Sequence, residues 1–209
     1  MTIEKGKLIS IEGGEGAGKS TVLNAIREFL EQAGFVVTVT REPGGTAVGE
    51  KIRQLLLAPE NPMAAEAELL LMFASRAQLV RELIEPELAK GHIILTDRFT
   101  DASFAYQGGG RGIAEDKIDI LERQFVGIKP DLTLLLDLGV EQGLARAQAR
   151  GQGLDRIEQE QTDFFDKVRN AYLSKAHQEP QRIKVIDASK PAEQVLQSVL
   201  ATMQQWLAI

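Results

Sequence analysis

Residues Gly13-Gly14-Glu15-Gly16-Ala17-Gly18-Lys19-Ser20 form a glycine-rich run that ends in a lysine and a hydroxyl. The spacing is G-x-x-x-x-G-K-[ST]. Glycines let a backbone turn sharply and aim several N–H groups at one point. A helix opened by such a run adds the positive end of its dipole. Lys19 would put a cation between the β- and γ-phosphates of a nucleoside triphosphate, and the Ser20 hydroxyl could hold Mg2+. The alternative is a glycine-rich turn that binds nothing. Against it, the run follows a short apolar segment at residues 8–12 and precedes helical spacing, the strand–loop–helix context the motif needs. The motif specifies a triphosphate; kinases, motors, GTPases and ligases all use one.

A second set of cations narrows the choice. Arg41 and Arg98 follow apolar segments, Arg76 lies in a long helical pattern, and Arg150 and Arg156 fall in residues 149–157 (ARGQGLDRI). That segment reads as a mobile basic flap or as an ordinary solvated loop. Ligands of open α/β sheets bind beyond the carboxyl ends of the strands. Phosphoryl transfer needs cations around both donor and acceptor phosphates, since the work is positioning and charge stabilisation. An acceptor that is itself a phosphate is already ionised near neutrality and needs no general base. The two histidines, His92 at a strand start and His177 at a helix end, accordingly read as structural. No guanine-reading Asn/Thr-Lys-x-Asp stands in the chain, and it is short for a motor.

These residues need a frame. Short runs rich in branched residues at 8–12, 35–40, 92–97, 132–137 and 183–187 read as buried parallel strands. Helical spacing fills 19–33, 46–58, 64–90, 114–127, 140–150, 159–178 and 191–208, with Pro86 expected to kink or split the third stretch. The alternation predicts one α/β domain over residues 1–209, a five-stranded parallel sheet flanked by helices in a three-layer sandwich, with the basic flap as a lid. The 209 residues carry a net charge of −6, which argues against a general nucleic-acid binder. No apolar run approaches the roughly 18 residues of a membrane span. The polar start shows no signal peptide, and the absence of cysteine excludes disulfides and thiolate chemistry. A cytoplasmic protein is expected.

Four motifs in order resemble the thymidylate kinase family over nearly the whole chain. They are the phosphate loop with an acid, Glu15, inside it; Arg41-Glu42-Pro43-Gly44-Gly45-Thr46; Asp97-Arg98-Phe99 leading to Ser103-Phe104-Ala105-Tyr106-Gln107-Gly108; and the flap from Arg150 through Leu154-Asp155-Arg156-Ile157-Glu158. The resemblance implies a P-loop nucleoside-monophosphate kinase that makes dTDP from dTMP with ATP and Mg2+, and a homodimer. It implies that residues 13–20 hold ATP with help from Arg146, and that Ser20 and Asp97 support Mg2+. Arg98 would grip the acceptor phosphate, with Arg53 a second candidate. Glu15 would accept from the sugar 3′-hydroxyl, and Arg76, Ser103 and Gln107 would meet the thymine edge. Tyr106 would occupy the place of a ribose 2′-hydroxyl. Plainer roles stand beside several of these: a helix cap or ion pair for Asp97, an exposed helix arginine for Arg53, a half-buried helix aromatic for Tyr106.

Two positions depart from the family pattern. Where a phenylalanine commonly stacks on the base, this chain has Met72 with Phe73 next to it, and either could meet the base or belong to the core. Where some members carry a phosphate-loop arginine, this chain has Gly16, so the flap's Arg150 and Arg156 are expected to supply the catalytic charge beside Lys19 and Arg98. An acceptor other than dTMP, or a regulatory ATPase without a small acceptor, are the alternative functions.

Overall fold

The computed structural model describes residues 5–149, 151, 153 and 155–207. Five strands form one parallel sheet: β1 (Lys7–Gly13), β2 (Val37–Arg41), β3 (Ile93–Asp97), β4 (Leu132–Asp137) and β5 (Ile183–Asp187), ordered β2-β3-β1-β4-β5. The helices are α1 (Lys19–Gln32), α2 (Ala47–Leu57), α3 (65–89), α4 (100–110), α5 (115–126), α6 (Val140–Gln148), α7 (Thr162–Gln178) and α8 (Ala192–Leu207).

Alternation along the strands assigns each side chain to a face. Ile9 and Ile11 of β1, Ile93 and Leu95 of β3 and Leu134 and Leu136 of β4 pack with α1 and α8. Leu8 and Ile94 face the other way into a cluster with α3 and α5, and Leu135 packs with α4 and α7. Each large aliphatic buried this way contributes about 1.5–3 kcal/mol. The three layers are those the sequence predicts. Among the described residues, no helix is long and apolar enough to cross a membrane.

Two helices differ from the expectation by spacing. At Pro86 the helical stretch changes character rather than ending. The helix passes from Ala65–Leu79 through a π segment, Val80–Ile84, into a last α-helical turn, Glu85–Ala89, with Pro86 in its first turn. A proline has no N–H to give and crowds the carbonyl four residues back; the wider π turn just before it accommodates both. Spacing also places no helix between 97 and 114, yet α4 forms there as Thr100–Ser103 followed by a π segment, Phe104–Gly110. Three glycines in a row disfavour a helix locally. Packing reverses that preference: a Cβ on Gly109 would stand 2.6 Å from the Ala171 Cβ of α7, so only glycine lets the two helices approach this closely.

Register brings the site together. Ile11 of β1 and Arg41 of β2 both pair with Asp97 of β3, so the loops leaving these three strands start side by side at the carboxyl edge. The Glu42 N–H donates to the Asp97 carbonyl at 2.9 Å and the Arg98 N–H to the Ile11 carbonyl at 3.0 Å, which continues the ladder into the loops.

Candidate active site

A cavity of about 410 Å3 opens over this edge. The phosphate loop, residues 13–20, forms one end. Gly18 takes a left-handed φ of 91° at the start of α1, and no side chain caps that helix. Its first-turn N–H groups thus remain available to an anion. Lys19 is buried, and its Nζ donates to the Gly13 and Gly14 carbonyls at 3.2 and 3.0 Å. Burial lowers its pKa, and the Arg98 charge adds to this; Glu15, Asp97 and Glu12 oppose them. Gly16 has a left-handed φ of 68°, and a Cβ there would run into the Gly143 carbonyl of α6. No arginine fits at this place unless α6 moves, which gives the departure at Gly16 a steric reason.

Arg98, Glu15 and Tyr106 form a closed triangle. Arg98 Nη2 donates to Glu15 Oε1 at 2.7 Å and to the Tyr106 hydroxyl at 2.8 Å, and that hydroxyl donates to Glu15 Oε1 at 3.0 Å. Burial pushes the Glu15 carboxyl up, but Arg98, Lys19 and Tyr106 outweigh it and hold it down at about 2. Glu15 is therefore an ionised acceptor at every physiological pH. Burial and the neighbouring carboxylate raise Tyr106, so its hydroxyl keeps its proton. Arg98 Nε is buried with no partner among the described residues. Arg53, from α2, lines the same cavity, with its Nη1 donating to the Pro43 carbonyl at 2.9 Å.

The opposite end carries the groups expected at a base edge. Arg76 is 2% exposed and fans its donors to Glu42 Oε2 at 2.6 Å, Ser103 Oγ at 3.0 Å and the Phe99 carbonyl at 3.1 Å. Ser103 and Gln107 come from α4 and line the cavity with Arg76, Leu57, Met72 and Ile157. Phe73 does not line it. Its ring lies in the core cluster with the Arg76 guanidinium 4.7 Å from its centre, whereas Met72 lines the cavity and also packs against the core cluster of α4 and α7.

Asp97 and Ser20 line the cavity near the phosphate loop. Asp97 Oδ1 is buried without a partner among the described residues, an oxygen suited to a cation or its water. Mg2+ commonly takes only one or two protein ligands besides substrate phosphates, so these two residues fit it. Arg146 of α6 lines the same cavity, and its Nη1 donates to the Ala188 carbonyl beyond β5 at 3.2 Å.

Other arginines are placed differently from the sequence reading. Arg41 is exposed and pairs with Glu50. Arg156, expected over the transferring phosphoryl group, turns away from the cavity. Its Nη2 donates to Glu68 Oε2 at 2.7 Å and its Nε to the Leu56 carbonyl at 2.8 Å. A buried carboxylate holds a guanidinium more firmly than solvent does, so Arg156 anchors the flap here. Arg150 lies outside the described residues.

Sequence reasoning missed several groups. Glu42 is 5% exposed, lines the cavity and leaves Oε1 without a partner among the described residues. Burial pushes its carboxyl up to about 7 against the pull of Arg76. Its signal was present, an acid inside the Arg-Glu-Pro-Gly-Gly-Thr turn. Asp155 and Glu158 of the flap also line the cavity, although only the flap's arginines drew notice. Glu68 had no local signal, because its partners lie 39, 43 and 88 residues away.

Known proteins share this frame. Residues 11–199 match the family model for thymidylate kinase. The chain is 53% identical over 197 residues to the thymidylate kinase of Pseudomonas putida (strain W619), covering 93% of this chain and 95% of that one. It is 54% identical over 200 residues to that of Pseudomonas entomophila (strain L48), covering 95% of each. The crystal structure of thymidylate kinase from Ehrlichia chaffeensis superposes with a TM-score of 0.78 at 29% identity, covering 96% of this chain and 99% of that one.

Proposed function

The chain belongs to the thymidylate kinase family, and on that premise we propose that it transfers the γ-phosphoryl group of ATP to dTMP, giving ADP and dTDP for dTTP synthesis. The observation that carries this reading is one cavity with a phosphate loop at one end, an arginine–glutamate–tyrosine triangle in the middle and a polar base edge at the other.

The acceptor phosphate meets Arg98, whose spare Nε–H and planar fork suit a phosphate, with Arg53 as a second cation. Its second ionisation lies near pH 6, at about the value for other phosphate monoesters. The attacking oxygen is therefore already negative, and no side chain has to remove a proton. Lys19 and the N–H groups opening α1 hold the donor phosphates in line with that oxygen. Glu15, ionised, accepts from the sugar 3′-hydroxyl. The Tyr106 ring and hydroxyl fill the space a 2′-hydroxyl needs. Arg76 and Gln107 meet the base, and Met72 packs against it with a polarizable thioether. When bound, Mg2+ would be held by Asp97 and Ser20 and would neutralise charge on the donor phosphates. Arg146 and the Ala188 turn flank the adenine. We read residues 1–209 as one domain whose flap, residues 149–157, closes as a lid. Arg150 would supply the flap's charge to phosphoryl transfer, and Arg156 anchors the flap through Glu68.

The exposed Leu70 of α3 and Ile120 and Phe125 of α5 lie on two helices that pack together, and this apolar surface supports a homodimer. Sedimentation at the monomer mass would contradict it. A cytoplasmic location fits a cysteine-free enzyme of soluble nucleotides; recovery in a membrane fraction would contradict that.

The test of function is ADP release from MgATP with dTMP, dUMP, UMP, CMP, AMP and GMP in turn. Strong stimulation by dTMP and weaker stimulation by dUMP are expected. Stimulation by another monophosphate alone would overturn the acceptor, and stimulation by none would leave a nucleotide-binding ATPase.

A further inference from the structure

Gln107 has an amide whose two ends mean opposite things to a base. The nitrogen donates and the carbonyl accepts, and a free glutamine side chain can present either by rotating. Here one end is taken. Gln107 Nε2 lies 2.8 Å from Glu68 Oε1, and both residues are 1% exposed. Glu68 sits one turn before Met72 on α3 and is itself held on both oxygens. Arg111 donates to Oε1 at 3.3 Å and to Oε2 at 3.1 Å, and Arg156 donates to Oε2 at 2.7 Å. Arg111 Nη1 in turn donates to Glu160 at 2.5 Å, so the clamp is tied to the segment that follows the flap. Burial raises the Glu68 carboxyl, but the bonds from Arg111, Gln107 and Arg156 outweigh it and keep the group below the ordinary carboxylate range.

An ionised carboxylate only accepts. A glutamine packed beside one must turn its nitrogen inward, whichever way the amide would otherwise lie. Among the described residues none donates to Gln107 Oε1, and Gln107 lines the cavity.

We propose that Glu68 is a positioning residue for base selection: by holding the Gln107 amide nitrogen it commits the Gln107 carbonyl oxygen to the cavity, which then demands a ring N–H from the acceptor's base. The inference rests on the acceptor site assigned above and goes beyond it. Arg76, a donor, and Gln107, fixed as an acceptor, complement the C4 carbonyl and N3–H of thymine and uracil. Cytosine presents the reverse pattern, an amino group toward Arg76 and a bare N3 toward the Gln107 carbonyl. Two unpaired buried contacts follow, the arrangement by which hydrogen-bonding sites discriminate most strongly. Pyrimidine selection is thereby set by an acid that never touches the substrate.

The test compares kcat/KM for dTMP and dCMP in the wild-type chain, Glu68→Gln, Gln107→Ala and the double variant. The neutral amide that Glu68→Gln introduces can donate or accept, so the Gln107 amide is free to turn over. The dTMP:dCMP ratio is expected to fall by at least about tenfold in Glu68→Gln; a flap loosened through Arg156 would act on both acceptors alike and leave the ratio standing. A merely structural role would lower both substrates alike and leave the ratio standing; that result in a folded variant overturns the clamp. In the Gln107→Ala background, Glu68→Gln is expected to change the ratio no further, and a second full loss would contradict a shared mechanism. If Glu68→Gln does not fold, Gln107→Ala alone decides, since an unchanged ratio there removes the group the clamp acts on. A wild-type chain that takes dCMP as readily as dTMP overturns the acceptor reading as well, whereas a wild-type preference for dTMP that survives in Glu68→Gln overturns the clamp alone.

Discussion

Arg98 holds a left-handed backbone, φ 70°, that a residue with a side chain adopts at a cost of about 1–3 kcal/mol. Neighbouring bonds enforce it: its N–H donates to the Ile11 carbonyl at 3.0 Å, and its carbonyl accepts from Thr96 Oγ1 at 2.8 Å. The outcome is a guanidinium planted between Glu15 and Tyr106 at the mouth of the phosphate loop. Arg98→Ala is expected to lower kcat/KM for dTMP at least about tenfold, roughly 1.4 kcal/mol, with ATP binding little changed. Unaltered steady-state kinetics with dTMP would remove Arg98 from the acceptor site. This residue was legible in the sequence because it directly follows a strand and precedes a recognisable run. Arg156 was equally conspicuous and yet points elsewhere, since its destination depends on Glu68, 88 residues away. Local spacing carries a residue's position on an element; it does not carry the partner that a distant element brings.

At the scale of elements, β1 ends in a buried acid directly before the phosphate loop. Glu12 Oε1 accepts from the Phe99 N–H at 2.7 Å, and its Oε2 lies 2.7 Å from the Tyr172 hydroxyl of α7, so one carboxyl joins β1, the start of α4 and α7. Burial, helped by the Asp101 carboxylate, raises its pKa from 4.5 to about 8. The folded chain therefore keeps a proton that the unfolded chain releases above its ordinary carboxylate pKa. Stability must fall as pH rises from that value to about 8, and level off beyond it. Glu12→Gln retains an acceptor for Phe99 and a donor for Tyr172 without the titration. Thermal unfolding at about pH 5 and about pH 9 is expected to show the wild type losing Tm relative to Glu12→Gln at the higher pH. A gap that stays constant across this range would contradict the raised value. The strands were legible because each is a short branched run between turns. The helix at 100–110 was not, because its glycines lack helix propensity and its reason to exist is the close face of α7.

For the molecule as a whole, a net charge of −6 coexists with a cavity built to collect phosphates. Lys19, Arg53, Arg76, Arg98 and Arg146 converge where the strands end, and Glu15, Glu42, Asp97, Asp155 and Glu158 line the same cavity, so cations are gathered locally without the site losing its acids. Sheet order explains the convergence: β1, β2 and β3 deliver three loops to one edge in matched register. That arrangement could be anticipated from strand–helix alternation, and the acid of the Arg-Glu-Pro turn was there to be read, whereas the pairing of Glu68 with Gln107 required the assembled fold. What separates a kinase from an ATPase built on the same frame is the fate of the phosphoryl group. The measurement to make is therefore the transfer of γ-labelled phosphate from MgATP, with dTMP present, and separation of the products. Label in dTDP, absent when dTMP is omitted, is the expected result; label in inorganic phosphate alone, with dTMP unchanged, would contradict it.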